Sequence, residues 1–109
     1  MLLSWKRIEF LEKNWRKIAE EVKEIAKKYG NVYKVVVFGS VIKGKVCGSS
    51  DLDIAVIYDE KLSFKERRRR EVGITLELPE EESLLVDIKV LDINEADFFL
   101  EFIGTYVEV

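Results

Sequence analysis

Three aspartates and one glycine-serine pair have the types and spacing to do chemistry together. Asp51 and Asp53 flank Leu52 at the head of an apolar run, DLDIAVIY. In a strand, side chains two residues apart project from the same face, with α-carbons about 6–7 Å apart. Two carboxylates held that way repel, and burying either charge is costly, so a cation must offset them. A donor set of hard oxygens selects Mg²⁺ or Mn²⁺ over zinc. Asp87 is a third carboxylate inside an apolar run, LLVDIKVL. With the two runs side by side, Asp51, Asp53 and Asp87 can bridge two ions at the roughly 3.5–4 Å separation used for in-line displacement at phosphorus.

Gly39-Ser40 supplies the other half of such a site. The pair directly follows VYKVVVF, whose β-branched and aromatic residues read as a strand buried on both faces. That places it at a strand's C-terminal end, where open α/β sheets usually bind ligands. Gly39 lets a phosphate approach the backbone closely, and Ser40 offers a hydroxyl and can begin a short helix whose N-terminal amides favour anions. Lys43 falls one turn into that helix, as a point charge for phosphate oxygens. Asp-x-Asp and Gly-Ser are each commonplace. Their order and placement on strand ends carry the argument.

The elements that must hold these residues follow from periodicity. Ser4 can cap a helix that runs to about Tyr29 and stops at Gly30 as a C′ residue. Along it Ile8, Leu11, Trp15, Ile18, Val22, Ile25 and Tyr29 recur every three or four residues. This stripe either packs the helix on its own sheet or forms a coiled-coil-type seam for a partner, a second copy included. Strands are expected at 32–38, 51–58 and 84–91. Ser63 and Glu66 have capping-box spacing and open a helix; Val72, Ile74, Leu76 and Leu78 also alternate as a strand would, and the reading favoured is helix to about Leu78, ended by Pro79 and the acidic run Glu80 to Glu82. Asn94 can cap a short helix ending at Gly104, with a small final strand at 105–109. Strands alternating with helices indicate an α/β (α+β) fold, a mixed sheet of about four strands with helices packed on it.

Composition narrows the chemistry further. The 109 residues favour one compact domain, 1–109, and 48% hydrophobic residues suffice for a core. With 18 Lys+Arg against 21 Asp+Glu the net charge is only −3, which does not favour a nucleic-acid binder. Histidine is absent, so imidazole bases, Ser/His/Asp triads and His-bound zinc are excluded. The lone Cys47 cannot pair internally, and with no membrane-length apolar run and no secretory leader the chain reads as cytoplasmic.

Residues 38 to 56, FGSVIKGKVCGSSDLDIAV, resemble the signature of the polymerase-beta-type nucleotidyltransferase superfamily. Ten residues, Val41 to Ser50, separate Ser40 from Asp51, the spacing between that signature's Gly-Ser and its Asp-x-Asp. The brevity of the chain and the third aspartate in LLVDIKV resemble the minimal, MNT-type branch. The resemblance implies a nucleoside triphosphate, ATP above all, held by Gly39 and Ser40 and two Mg²⁺ (or Mn²⁺) ions on Asp51 and Asp53. Asp87 would complete the metal site and help deprotonate the acceptor hydroxyl. Where many members carry Arg-x-Arg-Gly after the Gly-Ser, this chain has Val41-Ile42-Lys43-Gly44. The same resemblance implies a helical HEPN-domain protein as partner, with this chain as the antitoxin of a toxin–antitoxin pair.

Other features have blander readings. The run Arg67 to Arg70 fans around a helix and reads as a solvated face, with a contact to an acidic partner or RNA as the alternative. Trp5 and Trp15 read as packing residues and Cys47 as incidental. Tyr58 packs or, alternatively, stacks on a nucleobase.

Overall fold

The computed structural model describes residues 4–109. The first helix, α1, is Ser4–Ala26. Its expected cap, the side chain of Ser4, lies outside the described residues. Leu11, Ile18 and Val22 of the apolar stripe are fully buried, with Ala19 and Ala26 beside them. Trp15, Ile25 and Tyr29 pack partly buried at the margin of the same core. The stripe therefore serves the helix's own sheet. The helix gives way to a turn before Gly30, and Gly30 is not in the left-handed region that a C′ glycine adopts. Its reason is space, because a β-carbon there would stand 2.1 Å from Oε2 of Glu60.

The strands are β1 (Val32–Phe38), β2 (Leu52–Tyr58), β3 (Val86–Asp92) and β4 (Tyr106–Glu108), in the spatial order β3-β2-β1-β4. β1 runs antiparallel to both β2 and β4, while β2 and β3 are parallel, giving the expected mixed sheet. Between β2 and β3 lies α2 (Phe64–Glu77), whose N-cap Ser63 accepts from the Glu66 amide as its spacing predicts. Beyond Pro79 the acidic run does not simply end that helix; Glu80–Ser83 coils into a short α3. After β3, a 3₁₀ turn at Ile93–Glu95 leads into α4 (Ala96–Ile103), which stops at Gly104 with φ 72°. The cap here is Asp92 rather than Asn94: its carboxylate accepts from the Asn94 amide while Glu95 reaches back to the Asp92 amide.

Alternation sorts the sheet into two faces. Leu52, Ile54, Val56 and Tyr58 join Ile88 and Val90 under α1 and α2. Ala55, Ile57 and Leu91 join Val36 under α4 through Ala96, Phe99 and Leu100. On the β3 margin, Glu71 of α2 turns its carboxylate to accept the Val90 amide at 2.8 Å. Among the described residues no helix is long and apolar enough to cross a membrane.

Several blander readings change. Arg70 is buried, its guanidinium forked onto both Glu60 oxygens at 3.1 Å, bonded to Glu66, and stacked 4.5 Å from the Tyr58 ring. Arg67 pairs with Glu95, Arg68 with Glu71 and Arg69 with Glu66. Arg67 and Arg70 are thus drawn into the fold, while Arg68 and Arg69 stay exposed and paired along their own helix, so the solvated-face reading holds for those two. Tyr58 is fully buried with its hydroxyl donating to the Ala26 carbonyl at 2.7 Å, so it cannot stack on a base. Trp15 packs partly buried, whereas Trp5 is 60% exposed and is not a packing residue.

Candidate active site

The topology brings three chain segments to one end of the sheet. β1 finishes at Phe38, which pairs with Asp53 near the start of β2, and Asp53 in turn lies beside Asp87 near the start of β3. Because β2 and β3 run parallel, both enter from this end, and the site sits at their N-terminal edge. The expectation drawn from C-terminal strand ends holds for β1 alone.

Gly39 makes the first turn possible. Its φ of 81° lies in the left-handed region, and a β-carbon would fall 2.1 Å from Oδ2 of Asp53. Both observations demand glycine: one for the backbone, the other for the carboxylate packed against it. From Gly39 the chain does not enter a helix. One turn is closed by the Lys43 amide on the Gly39 carbonyl at 3.1 Å and the Lys45 amide on the Ser40 carbonyl at 2.9 Å. The expected helix N-terminus at Ser40 is therefore a single turn, with Val41 buried beneath it and Lys43 exposed upon it.

The connecting loop then tightens before β2. Cys47 donates its amide to the Ser50 hydroxyl at 2.9 Å, and the Ser50 amide returns to the Cys47 carbonyl at 3.0 Å. Bonds from Ser49 and Ser50 draw the exposed Cys47 thiol down to about 7, a property no spacing in the sequence announces.

Alternation puts Asp53, Asp87 and Lys89 on one face of the sheet, Asp53 half-buried and Asp87 exposed. Burial first, then the charges of Asp87 and Asp51, raise the Asp53 carboxyl above its ordinary range, with Lys89 opposing them. Asp51 stands one residue ahead of β2 and is exposed, so its placement comes from the loop and not from strand alternation. Its Oδ1 is paired with Arg7 Nη2 at 2.8 Å. Of the residues singled out by spacing, Asp53 lies against Gly39 on one side and beside Asp87 on the other, Asp51 adds its charge from the loop, and Ser40 and Lys43 ride the adjoining turn.

Two cations escaped the sequence reading. Lys89 was detectable, being two residues beyond Asp87 and hence on its face. Arg7 was not, since nothing local separates it from Lys6, Lys13 or Arg16.

The donor set fits a hard divalent cation: it is all carboxylate oxygen, and after burial its mutual repulsion is what raises Asp53. Among the described residues, however, no three His, Cys, Asp or Glu side chains are grouped as a ready-made metal cage.

Comparison with known proteins places the fold and the family. The family model described as polymerase beta, nucleotidyltransferase, matches residues 20–105. A search of curated proteins finds no significant match. Among solved structures, a Sulfolobus solfataricus protein provisionally named a nucleotidyltransferase superposes with a TM-score of 0.66 at 24% identity, over 99% of this chain and 87% of that one. The complex of a tri-AMPylated Shewanella oneidensis HEPN toxin with its MNT antitoxin contains a similar chain, at TM-score 0.57 and 16% identity, covering 86% of this chain and 70% of that one. A toxin–antitoxin structure with AMP-PNP gives 0.59 and 16%, over 83% and 70%. At these identities the superpositions establish the fold; the family model, spanning most of the chain, establishes that this protein belongs to the polymerase beta nucleotidyltransferase family.

Proposed function

We propose that the chain is a metal-dependent transferase that moves a nucleoside monophosphate, AMP from ATP, onto a hydroxyl of a partner protein. The observation that carries the reading is the juxtaposition of Asp53 and Asp87 on neighbouring parallel strands, with the Asp53 carboxylate packed against Gly39. In this reading Gly39 opens the backbone to the triphosphate, Ser40 offers its hydroxyl, and Lys43 supplies a positive charge. Asp51, Asp53 and Asp87 hold two Mg²⁺ ions, with Mn²⁺ a chemical equivalent. Bound divalent ions supply charge neutralisation for the departing pyrophosphate and acidify the attacking hydroxyl. Asp87, exposed beside Asp53, is the carboxylate an acceptor can reach, and its oxygen takes the hydroxyl proton as the bond to α-phosphorus forms. Lys89 flanks the pair and limits their mutual repulsion.

The similarity to an MNT antitoxin bound to an AMPylated HEPN toxin supports a HEPN-domain partner and an antitoxin role. Incubating the purified chain with that partner, Mg²⁺ and α-labelled ATP tests the reading: label on the partner is expected, and Asp53→Ala loses it. Absence of transfer by wild type, or near-normal transfer by Asp53→Ala, removes the assignment. A contact-only module is the second reading, favoured by the lack of a ready-made metal cage among the described residues. Neutralisation of the partner by an Asp51→Ala/Asp53→Ala double variant is its signature.

A further inference from the structure

Arg7 lies in the early part of α1, outside the residues 20–105 that the family model matches. Its guanidinium reaches across to the candidate site with two bonds: Nη2 to Oδ1 of Asp51 at 2.8 Å, and Nε to the Ser50 carbonyl at 3.1 Å. The fork is one-fifth exposed and Asp51 about half exposed, at 20% and 51%. Two anchors on one planar group fix its position better than a single surface contact does. Ser50 is itself buried and tied to Cys47, so the anchor does not drift. Arg7 thus brings to Asp51 the positive charge that a divalent ion would bring.

We propose that Arg7 is a positioning residue that competes with a divalent cation for Asp51, so that the early part of α1 releases this carboxylate when the metal binds. The inference rests on the metal-site reading above. It accounts for two observations at once: the excess of carboxylates at the site, and the absence of a ready-made cage among the described residues. A carboxylate held toward a guanidinium is a donor withheld from the others.

Mn²⁺ binding to the purified chain without nucleotide, followed by titration calorimetry, tests it. Arg7→Gln is expected to bind Mn²⁺ about fivefold more tightly, the upper end for a partly exposed ion pair. Arg7→Lys keeps the cation but loses the two-anchor fork, and is expected to fall between wild type and Arg7→Gln. Amide exchange over residues 8–12 gives a second readout. Mg²⁺ should speed it in wild type and leave it unchanged in Arg7→Gln, where the contact is already gone. Unchanged or weaker Mn²⁺ binding by Arg7→Gln, or slower exchange on loading wild type, overturns the inference alone, provided that binding is lost in Asp53→Ala. Binding that survives Asp53→Ala, or that is absent from every variant, overturns the metal site and this inference with it.

Discussion

Replacing Gly39 separates two jobs that one hydrogen atom does. In Gly39→Ala the backbone must hold an L-residue at φ 81°, which costs about 1–2 kcal/mol. The new methyl also lands 2.1 Å from Oδ2 of Asp53, so that carboxylate must swing aside at about 0.5–1.5 kcal/mol more. Together these lower stability by about 2 kcal/mol, a fall in Tm of roughly 10 °C for a domain this size. Gly39→Asn divides the two costs. Asparagine tolerates positive φ, so most of the stability returns, yet its β-carbon still displaces Asp53. The expected pattern is a Tm near wild type for Asn, a depressed Tm for Ala, and loss of nucleotide transfer in both. Differential scanning fluorimetry alongside the labelled-ATP assay reads both quantities. An Asn variant with full transfer, or an Ala variant with unchanged Tm, would refute the claim that Gly39 exists to admit Asp53.

Other outcomes follow from the same structure. Asp53→Asn removes a half-buried charge from beside Asp87, so in chelator it should raise stability by about 0.5–1 kcal/mol while abolishing transfer, and a lowered Tm would contradict the repulsion argument. Glu82 is buried with Oε1 unpartnered, and burial, then a hydrogen bond to Glu21 and that group's charge, push its carboxyl up to about 7. Its folded value is raised above the unfolded one, so its ionisation costs stability fully above pH 7 and not at all below about pH 4.5. Glu82→Gln should therefore raise Tm at pH 8, by about 1 kcal/mol equivalent after discounting for solvent, with the gain gone near pH 4.5. A pH-independent gain would assign the effect to packing. Arg70→Ala strands Glu60 and uncovers the Tyr58 ring, and should cost about 2–3 kcal/mol in urea unfolding; a loss under 0.5 kcal/mol would show the ion pair to be idle.

What the sequence could reveal depended on whether the cause was local. Ser63 with Glu66, the three long strands and the stop at Gly104 are written in neighbouring residues, and the observed elements keep them. Tyr58 and Arg70 read differently because each is explained by the other and by Glu60, residues that meet only after α2 folds onto β2. Gly30 has the same origin: its missing side chain makes room for Glu60, a partner 30 positions away. At the site, the two aspartates of Asp-x-Asp and the distant Asp87 were legible as residue types, and the Asp53–Asp87 register required a parallel pairing that hydrophobic patterning does not specify. Arg7 stayed hidden because an ion pair across 44 positions leaves no periodic trace.

The carboxylate of Glu71 seated on the Val90 amide has one further effect. It stoppers the outermost rung of the sheet on the β3 side, while the opposite rim, β4, is three residues long. Each feature makes it harder for a foreign strand to continue the ladder, which limits self-templated stacking.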